Sequence, residues 1–377
     1  MIIGVDASRA NKLYRTGTEW YSYHSIQELK KIADPEDQFI LYSRESLVGG
    51  LEILPKNWQS KVLRWPPQKL WTQIRLSLEM FFHPPEMLFV PAHVIPFFHP
   101  KKVLTTCHDV GFLRLPELYS KIELAYHRFA LRTTCRHAPK IIAVSEFTKK
   151  ELMELTGISP ERVTVVYNGY DRSRYKVIED QTAIEMVLKK YNLSKPYILY
   201  IGRLEFKKNT SGLVQAFGIL KKSSQFRDLS SKLKLVLAGQ PGFGFEKVTE
   251  AVIGNDLHDE VILPGWVDEE DLPFLINGAD LFIFPSFYEG FGIPVLEAMA
   301  CGTPVVASDI ESIRETANEA VYFVDPWKPE NIAAGIARVL SDESLKEELK
   351  IRGLAQVEKF SWEKCAKETL AVIQQMK

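Results

Sequence analysis

Short apolar runs, many of them β-branched, alternate with helix-length segments along this chain, and that alternation limits its fold more than any other feature. In the first half the runs are residues 2–5, 39–42, 88–90, 102–106, 141–144 and 163–166. In the second they are residues 197–201, 233–238, 261–263, 281–284, 305–307 and 320–324. Runs that are apolar on both faces fit buried parallel strands covered by helices, so each series predicts an α/β sheet. Two series in 377 residues also exceed one ordinary core, and two domains follow. A turn-rich, charged stretch near residues 171–179 is the expected linker, with the boundary at 174/175.

Such doubly wound sheets bind ligands beyond the carboxyl ends of their strands, so two of them facing each other would enclose an interdomain cleft. The tail, residues 361–376, places Trp362, Cys365, Ala366, Leu370 and Ile373 near helical spacing and predicts a closing helix with an apolar stripe.

Charge excludes one class of partner and divides the chain. The net charge of −1 offers no basic field for nucleic acid. Residues 1–175 nevertheless carry 24 basic and 18 acidic groups (+6), and residues 176–377 carry 23 and 30 (−7). Cys107, Cys135, Cys301 and Cys365 form no CxxC, which suits a reducing cytosol. The start MIIGVDASR reads as a strand without the features of a secretory signal. The apolar stretch 87–98 is too short to span a bilayer and is interrupted by Pro91, His93 and Pro96.

The most informative string is FPSFYEGFGIPVLEAMACGTPVVASD, residues 284–309. Pro294 suits a helix start and Gly302 a helix end, so a short helix is expected over 294–301, with Glu297 in its first turn. The amides of Gly290, Phe291, Gly292 and Ile293 then approach a helix start, where free N–H groups and the helix dipole favour a phosphate. Carboxylates on either side, Glu289 and Glu297, are poor phosphate ligands but good acceptors for sugar hydroxyls. The pattern suggests a nucleotide-sugar; the plainer reading is a glycine turn followed by a favourable first-turn acid.

Two further segments follow strands. Arg203 and Lys208, in GRLEFKKN, could neutralise a diphosphate leaving group, or belong to a solvated basic loop. His108 and Asp109, in THDVGF, would meet the ligand from the first domain, the imidazole hydrogen-bonding a transferring sugar and Asp109 orienting it; a structural histidine is the alternative. Gly17 in RTGTEW would allow close backbone approach to substrate.

Taken together, EGFGIPVLEAMACGTPVVAS, GRLEFKKN, THDVGF, AVSEFTKKEL, VVYNGYD and LPGWV resemble the retaining GT-B glycosyltransferases of the large family-four group, with its E-x7-E pattern, over nearly the whole chain. The resemblance implies two Rossmann-like domains: an acceptor-side domain of residues 1–174 with the returning helix 360–377, and a donor-side domain of residues 175–359. It implies that Glu289 and the backbone of Gly290, Phe291, Gly292 and Ile293 hold the donor hexose and diphosphate, and that Glu297 takes the ribose hydroxyls. Arg203 and Lys208 would stabilise the departing nucleoside diphosphate, His108 would contact the sugar near its reacting carbon, and the Val267 backbone would read the base edge. Many members carry a double glycine after the first strand; here only Gly17 is present, followed by Thr18 and Glu19, and Gly17 and Thr18 are the matching donor-side contacts.

The expected activity is hexosyl transfer with retained configuration, mannose from a GDP donor being favoured by the general likeness of RTGTEWYSYH. The expected acceptor is a glycan or lipid-linked sugar in surface polysaccharide biosynthesis. No Asp-x-Asp pair stands at a predicted strand end, so the expected site uses no metal and no cofactor. A two-Rossmann epimerase or hydrolase of nucleotide-sugars, and a non-catalytic nucleotide-binding module, are the other readings. Residues 58–82 interleave Trp58, Trp65, Trp71, Phe81 and Phe82 with Lys61, Arg64, Lys69 and Arg75, which suits the headgroup zone of an anionic bilayer. The same stretch has core-helix spacing at Leu70, Trp71, Ile74 and Leu78. The expected location is cytoplasmic, at the inner face of the membrane.

Overall fold

A computed structural model describes residues 1–66, 70–92, 94–224 and 232–377; Lys69 and His93, named above, lie outside the described residues. The chain divides into two units. One holds Met1–Pro116, Lys121–Gly169 and Phe360–Lys377, the other Glu117–Ser120 and Tyr170–Lys359.

The first unit is built on a parallel sheet of β1 (Ile2–Asp6), β2 (Gln38–Ser43), β3 (Trp58–Val62), β4 (Met87–Val90), β5 (Lys102–Cys107), β6 (Lys140–Ala143) and β7 (Val163–Val165), in the order β3-β2-β1-β4-β5-β6-β7. The second carries β8 (Tyr197–Ile201), β9 (Lys234–Ala238), β10 (Val261–Gly265), β11 (Leu281–Phe284), β12 (Val305–Ser308) and β13 (Tyr322–Val324), in the order β10-β9-β8-β11-β12-β13. Every pairing in both sheets is parallel. Central strands such as 197–200 and 281–284 are buried along their length. The chain therefore winds outward from β8 through β10, then returns to place β11 beside β8, which makes the β8/β11 boundary the switch point of the second sheet.

The structure corrects the reading of residues 58–82. Trp58 lies in an edge strand that the apolar runs did not include: its indole is buried and stacked on Phe39, with centroids 4.1 Å apart, while the other four residues of β3 are exposed. Downstream, Trp71–Leu76 forms a π-helical turn that continues as Ser77–Phe82. The wider turn spaces Trp71 and Leu76 five residues apart on the buried side, followed by Met80, so Leu70 and Leu78, expected inside, are exposed. The Trp71 indole donates to Leu63 O at 2.8 Å.

The closing helix spans Trp362–Gln375 and starts at Ser361, whose hydroxyl accepts from Lys364 N at 3.1 Å. Its buried face, including Trp362, Cys365, Leu370 and Ile373, packs on helix Gly17–Ile32 of the first unit. The His24 and Trp362 rings stack there at 5.0 Å and 7°. Gly169 is required at this point: a Cβ on it would lie 2.1 Å from Trp362 N.

Candidate active site

The second unit brings two of the expected residues together at its switch point. Lys208 follows β8 and Glu289 follows β11; Lys208 Nζ donates to Glu289 Oε1 at 2.5 Å, and both side chains are largely enclosed. The loops that hold them are stitched by Phe287 N donating to Lys207 O at 3.0 Å. Asn209 ends the short 3-10 turn Phe206–Lys208 with φ 55°, a conformation that asparagine tolerates, and its amide donates to Pro326 O at 2.6 Å before helix Thr210–Lys222 begins. Arg203 stands on the same loop, 3.6 Å from Glu205 and with its side chain 60% exposed. The buried Tyr200 hydroxyl donates to Arg203 O at 3.1 Å and fixes the start of that loop. Thus one cation is committed to Glu289, while the other reaches toward solvent.

The glycine turn after Glu289 leads into helix Ile293–Ala300, with Gly292 at the cap in the left-handed region (φ 103°). Pro294 falls in the first turn, and Gly302 (φ 68°) follows the end. Glu297 is the fifth helical residue and therefore lies in the second turn, not the first; the helix begins one residue earlier than expected because Gly292 already makes the turn. Although part of its surface stays open, burial pushes the Glu297 carboxyl up to about 8, opposed by a hydrogen bond from Tyr175 and by the charge of Arg174. Val267 is buried just beyond β10, where Gly265 (φ 75°) turns the chain and its carbonyl accepts from Gly239 N at 2.9 Å.

The first unit holds His108, Gly17 and Thr18. His108 follows β5, packs edge-on against the Tyr21 ring at 4.7 Å, and has Nε2 3.4 Å from Pro91 O. Burial pushes its pKa down to about 4, so the imidazole is neutral at physiological pH. The Tyr21 hydroxyl pairs with Thr106 Oγ1 at 3.0 Å and holds that ring in place. Asp109 accepts from Gly111 N at 3.0 Å, turning the loop into the next short helix. Gly17 is the first residue of helix Gly17–Ile32, and a Cβ on it would meet open space. The start of this helix is capped by Glu19, which accepts from both Thr16 N and Thr16 Oγ1 at 2.9 Å, and is ion-paired with Lys12.

Two buried hydroxyls that lie within three residues of Lys208 or Glu289 along the chain carry no motif of their own. Ser286 Oγ, after β11, and Thr210 Oγ1, at the start of helix Thr210–Lys222, are fully buried with no hydrogen-bond partner among the described residues. Buried polar atoms of this kind are uncommon. Their signal was position, since each directly follows or borders a strand-end loop already singled out. Arg174 and Tyr175, which flank Glu297, gave no local signal.

Residues 185–356 match the family model for glycosyl transferases group 1, and residues 42–174 match the model for Glycosyltransferase Family 4. The chain is 33% identical over 325 residues to the O-antigen chain mannosyltransferase B of Escherichia coli, covering 86% of this chain and 81% of that one. Its fold resembles WaaG, a glycosyltransferase involved in lipopolysaccharide biosynthesis, with a TM-score of 0.76 at 13% identity and 99% of each chain covered. It also resembles Anabaena Alr3699/HepE, solved in complex with UDP and glucose, with a TM-score of 0.75 at 18% identity and 99% of each chain covered. With its two parallel-sheet Rossmann-like units, this chain belongs to the family-four glycosyltransferases of the GT-B fold.

Proposed function

We propose that this glycosyltransferase moves mannose from GDP-mannose, with retained configuration and without a metal, to a glycan or lipid-linked acceptor in O-antigen-type surface polysaccharide synthesis, at the cytoplasmic face of the membrane. The observation that carries the reading is the Lys208–Glu289 pair at the β8/β11 switch point, next to the Gly292 helix start. The mannosyltransferase named above, 33% identical over most of both chains, supports the choice of sugar.

In this reading the diphosphate lies against the amides of Gly290, Phe291, Gly292 and Ile293. Departure of the nucleoside diphosphate builds negative charge, which Arg203, Lys208 and those amides meet with fixed positive charge and dipoles. Glu289 positions Lys208 and accepts from the hexose hydroxyls, and Glu297 takes the ribose. Val267 reads the base through its backbone, while His108, as a neutral imidazole, contacts the sugar beside its reacting carbon. Gly17 and Thr18 complete the contacts. The acceptor hydroxyl attacks from the face the diphosphate leaves and passes its proton to the leaving phosphate oxygen, so neither glutamate forms a covalent bond.

GDP-mannose is expected to raise the thermal midpoint more than UDP-, ADP- or dTDP-sugars. With a mannosylated acceptor, Lys208→Met is expected to lower kcat by roughly 100-fold or more, activity is expected to survive a chelator, and proton NMR of the product to show the donor's anomeric configuration. Inverted product, or turnover of donor at the same rate with no acceptor, would remove this assignment.

A further inference from the structure

Four strand-end loops of the second unit bring aromatic rings together beside the Lys208–Glu289 pair. Phe206 follows β8, Phe243 follows β9, Phe287 follows β11 and Trp327 follows β13. The Phe287 and Trp327 rings stack at 4.0 Å and 25°, and Phe287 meets Phe206 edge-on at 6.2 Å. Phe206 N donates to Phe243 O at 2.8 Å, and a Cβ on Gly244 would lie 3.0 Å from Phe206 Cβ, so the β9 loop rests on the β8 loop. The Asn209 amide that reaches Pro326 O fastens the β13 loop to the same place. Trp327 is nevertheless 56% exposed and Phe243 45%. With Phe287 stacked on one face of the indole, the exposure of Trp327 belongs largely to the other. Single exposed apolar residues are ordinary, whereas rings gathered from separate loops mark a binding surface.

We propose that this surface is a subsite for the acceptor glycan chain, whose pyranose rings lay their C–H faces on Trp327 and its neighbours; the inference rests on the reading of the Lys208–Glu289 pair as the transfer site. Position selects this occupant. Phe206 stands two residues before Lys208 and Phe287 two before Glu289, and Phe287 N donates to Lys207 O, so the rings and the ion pair are carried on the same two loops. In the proposed site the base belongs at Val267, beyond edge strand β10, whereas Trp327 follows the opposite edge strand β13 and is drawn in toward β8. The chemistry agrees. The negative face of an aromatic ring attracts the C–H groups of a sugar. The rim carries both signs, with Lys328 paired to Asp325 at 3.0 Å and Arg203 to Glu205 at 3.6 Å, which gives hydroxyls both donors and acceptors.

The test is isothermal titration calorimetry of the full chain, without donor, against methyl α-mannoside and a linear α-mannopentaose. The parent is expected to bind the pentaose, and to bind the single sugar far more weakly. Trp327→Ala is expected to weaken pentaose binding roughly tenfold and Trp327→Phe to recover most of it, with the thermal response to GDP-mannose unaltered in both. A parent that does not bind the pentaose, or an alanine variant that binds it as the parent does, would overturn the proposal. So would an equal loss of the GDP-mannose response, since the indole would then serve the nucleotide. A dimer in sedimentation velocity that Trp327→Ala dissociates would also overturn it, because the rings would belong to a second copy. Pentaose binding that depends on Trp327, with no transfer of mannose from GDP-mannose, would support the subsite and remove the donor assignment instead.

Discussion

Two glutamates eight positions apart in one string have different surroundings. Glu289 is paired with Lys208, whereas burial holds the Glu297 carboxyl near 8, so at neutral pH Glu297 is mostly protonated and can both donate to and accept from a diol. A folded-state pKa above the unfolded value means that the native state keeps a proton the unfolded chain has lost. The contribution is full below about pH 4.5 and is lost as pH rises through about 8. The stability of the parent relative to Glu297→Gln is therefore expected to fall over that window, by up to about 1.4 kcal/mol per pH unit. Denaturant titrations of both proteins across the range measure this, and parallel curves would show that Glu297 holds no such proton. The pattern around Glu289 and Glu297 was readable in the sequence because both sit in one string; the depth of Glu297 was not, because Tyr175 and Arg174 come from a distant loop.

Among the elements, the glycine turn and its helix are the most constrained. Gly292 combines φ 103° with a Cβ position 2.5 Å from Ile313 Cδ1, so Gly292→Ala incurs both backbone strain and a clash. The expected cost is about 1–3 kcal/mol, read as a lower thermal midpoint and a weaker response to donor. In a double-mutant cycle with Ile313→Ala, which on its own empties a fully buried position, only the clash part of the Gly292→Ala cost should disappear, because the dihedral strain remains. Twelve of the described strands were legible as apolar runs: both faces are covered in central ones such as β8 and β11, and the partly exposed β7, β10 and β13 keep enough apolar, β-branched residues to read the same way. The edge strand β3 was not, since only Trp58 of its five residues is buried, and a run of Gln, Ser and Lys does not look like a strand of a parallel sheet. The neighbouring helix was legible as a helix but its buried side was not, because the π turn breaks the 3.6-residue count on which the expectation rested.

For the molecule as a whole, the closing helix is a structural part of the first unit. Trp362, Cys365, Leu370, Val372 and Ile373 are buried there, and at about 1.5–3 kcal/mol for each large side chain their removal approaches the whole stability of an ordinary domain. A chain truncated after Lys359 is expected to lose the cooperative calorimetric transition of the first unit, while a conservative Ile373→Val change should keep it. The apolar stripe made this helix legible, and its partner, helix Gly17–Ile32, became clear only from the packing. The contact of Gly169 with Trp362 carries a further consequence for how the protein is made. The first unit, most of which precedes the second along the chain, cannot close its core until residues 360–377 have been synthesised. Until then the surface around His24 and Tyr21 stays open, and the second unit, continuous from Tyr170 to Lys359 apart from one short segment, has its full sequence first.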